Sequence, residues 1–188
     1  ARQRALRDTA FNELESSVYR SRDMMQDDAL AAARTNDEAQ RVLSKADELG
    51  TWLSTEADQA DAKTIQKRQR ELDALVSPIS RRMSEAERRP AIVADMRTTL
   101  QRARTFVDEA KANLTQALAQ KSASKYTAAE LDTLDAQIRK DATWLEDGVL
   151  AQDKRKLQEE PVLWVSDILA RDQKLQDTVK RLSRRRIP

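Results

Sequence analysis

Only two glycines, Gly50 and Gly148, and four prolines punctuate 188 residues. Tight hairpins draw heavily on turn residues of this kind, so a chain this poor in them has little means of building a meandering sheet. Aromatic residues, which strands favour, make up 4% of it. Charged residues make up 35%, and Ala, Leu and Gln join Arg, Asp and Glu in the composition of long helices. The expected fold is all-α: an elongated bundle of about six helices, or two bundles sharing a long helix, with no sheet.

The same inventory bounds the chemistry. Cysteine and histidine are absent, which removes zinc fingers, haem, iron–sulfur clusters, thiol catalysis and His-based triads. No glycine-rich phosphate loop occurs. The carboxylates alternate with Lys and Arg at helical spacing, as Asp141 beside Lys140, and solvated ion pairs account for them. No catalytic, cofactor-binding or metal-ligating residue is assigned, and this piece is not expected to be an enzyme.

Charges nearly cancel, 34 Lys and Arg against 32 Asp and Glu, so neither nucleic acid nor an anionic membrane is expected as a partner. The one basic cluster is Arg181 with Arg184, Arg185 and Arg186, read as a solvated tail over about 183–188 because no aromatic is interleaved with it. No apolar run reaches the roughly 18–20 residues of a membrane span. The lack of an initiator Met suggests a piece of a larger protein, with residues 1–188 forming one helical domain.

Apolar periodicity divides the chain into segments. Phe11, Leu14, Val18 and Met25 make a helical stripe within about Arg2 to Ala33. Thr35 and Glu38 have the spacing of a capping box, opening a helix that turns Val42, Ala46, Leu49 and Leu53 inward. A third helix is expected from about Ala57 to Glu87, kinked or stopped at Pro78, with a break at Arg88-Arg89-Pro90 before a fourth carrying Val93, Met96, Leu100 and Val107. After a linker at 122–125, Thr127 and Glu130 form a second capping box. Glu159-Glu160-Pro161 breaks the chain again, and a last helix starts near Ser166.

Several of these residues also form a family pattern. Asn12 to Tyr19, Trp52-Leu53, Lys67 to Leu72 and Val76 to Ile79 resemble, in order and spacing, the lid helices of the seventy-kilodalton heat-shock chaperone superfamily. Lys125-Tyr126-Thr127, Trp144-Leu145, Glu160 to Leu163 and Asp167-Ile168 resemble its large branch. The Asp-Ile step followed by Leu175, Val179 and Leu182 is more similar to the glucose-regulated, hypoxia-up-regulated member of the endoplasmic reticulum than to its cytosolic relatives. The resemblance implies a lid-type helical domain whose ATP-binding and β-sandwich domains lie outside this chain. It implies unfolded polypeptide clients and the ATPase domain of a conventional lumenal seventy-kilodalton chaperone as partners, in support of nucleotide exchange. It implies the endoplasmic reticulum lumen, the cytoplasm being the alternative. Asn113-Leu114-Thr115 is a sequon that the lumen could use.

The matched residues Leu14, Val18, Trp52, Leu72, Ile79, Leu163 and Ile168 read as core. A client-holding surface must therefore come from apolar residues outside the stripes, and the candidates are Leu30, Leu150, Leu157 and Trp164. The competing reading is a spectrin-like structural scaffold without chaperone activity, which would bury its apolar faces completely.

Overall fold

The computed structural model describes every residue from Ala1 to Pro188. It is all-helical. Helix α1 spans Arg2–Gln26, the single turn α2 Asp28–Ala31, α3 Asn36–Thr55, α4 Ala62–Ala119, α5 Ala128–Asp153 and α6 Val165–Ser183. A 3-10 turn at Ala57–Gln59 is the remaining regular element, and there is no strand.

The helix starts follow local chemistry. Thr35 Oγ1 accepts from the Glu38 amide at 3.1 Å while Glu38 Oε1 accepts from the Thr35 amide at 2.9 Å, so two orphan amides of α3 are satisfied reciprocally. Thr127 and Glu130 repeat the arrangement at α5. The first segment is interrupted where a single helix to Ala33 was expected. Asp27 adopts extended backbone (φ −77°, ψ 115°) and its carboxylate accepts from the Ala29 amide, a local bond that competes with continuing the helix. The Arg34 guanidinium then donates to the Met25 carbonyl at 2.6 Å, closing the end of α1.

Helix α4 runs through both prolines, so neither the stop considered at Pro78 nor the break expected at Arg88-Arg89-Pro90 occurs. An interior proline removes one hydrogen bond and crowds the carbonyl four residues back, costing about 3 kcal/mol. Packing on both sides outweighs that. Leu72 and Ile79 flank Pro78 and are fully buried, and Val93 and Met96 follow Pro90 and are buried too.

The chain forms two compact units. The first contains Ala1–Ser84 and Lys156–Glu160, the second Glu85–Arg155 and Pro161–Pro188. In the first, Leu14, Val18, Leu49, Leu53, Ile65 and Leu72 make one buried cluster. Met25, Ala33, Val42 and Ile79 make another, against which Leu157 packs. In the second, Met96, Leu100 and Val107 of α4 meet Leu131, Leu134, Ile138 and Leu145 of α5, and Ile168, Leu175 and Leu182 of α6. Phe106 and Tyr126 stack edge-on there at 5.8 Å. A fully buried side chain of this size contributes about 1.5–3 kcal/mol.

Candidate functional site

No group of Asp and Glu is placed to hold a metal ion, and no helix is long and apolar enough to cross a membrane. In the first unit α1 and α3 bound a groove of about 590 Å3. Its walls present Phe11, Tyr19 and the edges of Val18 and Leu53, and Tyr19 is 61% exposed. Gly50 faces the Arg22 side chain: a Cβ there would stand 2.9 Å from the mobile end of Arg22, at Nη2, and in ordinary contact with Val18 Cγ1 at 3.8 Å. Arg22 pairs with Asp47 at 3.1 Å on the groove's polar side. The groove mixes these apolar edges and the Tyr19 phenol with the exposed Glu15, the Arg22–Asp47 pair and the hydroxyls of Thr51 and Ser54, a surface that can meet polypeptide through both apolar and polar groups.

The residues singled out from the sequence fall into different places. Leu150 is 63% exposed on α5 and Leu30 is half-buried on α2. Leu157 is half-buried on the Met25–Ile79 cluster of the first unit. Trp164 is half-buried at the start of α6. They do not form one patch: Leu30 and Leu157 belong to the first unit, Leu150 and Trp164 to the second. Sequence reasoning missed Tyr19 and Leu6, both more than half exposed on α1. The signal lay in the α1 stripe, since neither falls on the Leu14–Val18–Met25 line. Asn113 is exposed on α4, and the Thr115 hydroxyl donates to the Lys111 carbonyl at 2.9 Å, so the sequon sits on a helix.

Polar groups brace the second unit. Asp135 on α5 accepts from Arg104 of α4, with Arg139 and Lys111 nearby. The Arg104 hydrogen bond holds its carboxyl at about 2, below the ordinary value near 3.9. A depressed carboxylate stabilises the fold fully above the unfolded pKa and loses that contribution as pH falls through the folded one. The stability gap between the native chain and Asp135→Asn is therefore expected to be constant above about pH 5 and to close between about pH 4 and 2. Urea midpoints measured across that range check this, and a gap that persists unchanged at pH 2 is incompatible with the pair.

Residues 107–186 match the family described as HYOU1-like, C-terminal domain. The chain is 26% identical over 165 residues to hypoxia up-regulated protein 1 of Danio rerio, covering 88% of this chain and 16% of that protein. It is 27% identical over 173 residues to heat shock 70 kDa protein 17 of Arabidopsis thaliana, covering 92% and 19%. With heat shock protein 70 homolog lhs1 of Schizosaccharomyces pombe the identity is 24% over 187 residues, covering 97% and 22%. The chain thus spans about a fifth of the length of these relatives. No solved structure matches. These matches make the chain similar to a family of helical C-terminal domains over residues 107–186 and, at 24–27% identity, to heat-shock and hypoxia up-regulated proteins over most of its length. The resemblance to the large, hypoxia-up-regulated branch that the sequence carries holds, and over 107–186 it coincides with the greater part of the second unit.

Proposed function

We propose that this chain is the helical domain of a large chaperone of the endoplasmic reticulum, which holds unfolded polypeptide and embraces the ATPase domain of a conventional seventy-kilodalton partner to support nucleotide exchange. The observation that carries the reading is the match over 107–186. The pattern residues Leu163, Ile168, Leu175 and Leu182 are buried together in the second unit, so the pattern is one of architecture, and contact falls to the surfaces around it. Tyr19, 61% exposed on the α1–α3 groove, is the aromatic group there that a client can reach, and the reading gives it that contact. Asn113 stands open to glycosylation in that compartment.

The test is suppression of aggregation when a denatured client is diluted into buffer with the chain at equal concentration. Suppression is expected to survive high salt, because burial of apolar surface is not screened. Tyr19→Ser is expected to weaken it with helix content unchanged, since the side chain is open to solvent. No suppression at either salt would end the holding role and leave partner embrace or the scaffold reading. Binding to the ATPase domain of the lumenal chaperone then separates those two.

A further inference from the structure

The basic residues near the C terminus are not an isolated tail. Helix α6 continues to Ser183, so Arg181 is helical, and Arg185 is paired to Glu130 at the start of α5. The turn after α4 lies at the same end: Lys125 Nζ donates to the Ser183 carbonyl at 3.3 Å. Across residues 120–130 and 178–188 there are seven Lys and Arg and a single carboxylate, Glu130. Since the whole chain carries only +2, this end is strongly positive and the rest of the molecule is net negative.

A groove of about 460 Å3 between α5 and α6 reaches this end. Glu130 lines it and is the partner of Arg185. On the α6 wall stand Lys174 and Arg181, both exposed and in no ion pair. Seven residues apart, they project from one face about 10 Å from each other. The opposite wall offers no free anion. Asp141 is held by Arg171 and Gln137, each at 2.9 Å, and Glu130 is already neutralised. Small side chains, Ala129 and Thr133, leave the groove open above Leu134 and Leu175.

We propose that this groove and the basic end it reaches bind an acidic segment of polypeptide, with carboxylates placed on Lys174, Arg181 and Arg184 and short apolar side chains between the helices. Charge complementarity selects the sign of the ligand. The shape selects its class. A membrane surface is flat and would leave the groove unused. Single-stranded nucleic acid draws on exposed aromatic faces for stacking, and the aromatic at this end, Tyr126, is 8% exposed and packed edge-on against Phe106. The site goes beyond the holding function proposed above, which relies on apolar contact.

The experiment is fluorescence anisotropy of a labelled peptide of alternating glutamate and leucine, titrated with the chain at low and at high salt. Binding is expected at low salt and is expected to weaken steeply at high salt. The same peptide with glutamine for glutamate should not bind. Replacing Lys174, Arg181 and Arg184 together by glutamine should weaken binding about tenfold or more, and all three sites are exposed, so circular dichroism should show an unchanged fold. Equal affinity of the triple variant would overturn the site. Tighter capture of a single-stranded oligonucleotide or of phosphatidylserine vesicles would overturn the assignment to polypeptide. Salt-resistant suppression of aggregation reports on the apolar holding surface, so the two functions fail independently.

Discussion

Replacing Leu163 by alanine is expected to destabilise the second unit by about 3 kcal/mol, within the 2–5 range of large-to-small core changes. Leu163 lies between helices, yet it is 1% exposed. Its amide donates to Gln152 Oε1 at 3.2 Å and its carbonyl accepts from Arg89 Nε at 2.8 Å. With the backbone tied on both sides, the site cannot collapse to fill the cavity. The facing residue sharpens the test. A Cβ on Gly148 would lie 2.8 Å from Leu163 Cδ1 and 3.5 Å from its Cγ. Alanine in place of a mid-helix glycine ordinarily stabilises by about 1 kcal/mol, but here overpacking of about 1–3 kcal/mol opposes it. Gly148→Ala is expected to destabilise the native chain and to stabilise the Leu163→Ala chain. Urea unfolding of the four chains of the cycle gives the coupling, expected at about 1.5 kcal/mol or more. Additive effects would mean that Leu163 does not sit on Gly148.

The Gly148–Leu163 contact also marks where the sequence stops being readable. Leu163 belongs to the Pro-Val-Leu step of the family pattern, and the resemblance identified it as core. That a glycine fifteen residues earlier makes room for it is a non-local fact with no sequence signature. The capping boxes were legible because donor and acceptor stand three residues apart. The stripes were legible because helical period alone brings Leu14 to Val18 and Leu131 to Leu134. Pro78 and Pro90 misled because local propensity points to a break, while buried neighbours on each side hold the helix together. Leu157 looked free because its stripe is empty, and its partners, Met25 and Ile79, are more than seventy residues away. The basic end looked like a tail because Lys121 and Lys125 join it through the turn after α4.

Arg82 carries the second large effect, and nothing in its own segment announces it. It lies between Ile79 and Met83 on α4 and is 5% exposed. Nη1 donates to the Gln158 carbonyl at 2.6 Å and Nη2 to Glu38 Oε2 at 2.6 Å. One guanidinium thus joins three stretches of the first unit: α4, the capping box of α3 and the returning segment 156–160. Burial pushes the Glu38 carboxyl up, but the Thr35 amide and Arg82 outweigh it and hold the carboxyl below its usual range. Removing one partner of a buried pair costs about 3–5 kcal/mol when the other is left dry. The Glu38 side chain is 26% exposed and water can reach it, and Arg82 Nε is itself buried without a partner, so the pair begins with a cost already borne. Arg82→Met is accordingly expected to destabilise by about 2–3 kcal/mol. Arg82→Lys should recover little, because one ammonium does not reproduce a fork aimed at two acceptors. Urea unfolding measures the loss, and amide exchange locates it: protection of the Glu159 amide, which donates to the Lys156 carbonyl at 3.0 Å, should fall before that of α5. A loss below about 0.5 kcal/mol, the range of an exposed pair, would show that the returning segment is held without Arg82, by the apolar contact of Leu157 and the Arg81–Glu160 pair.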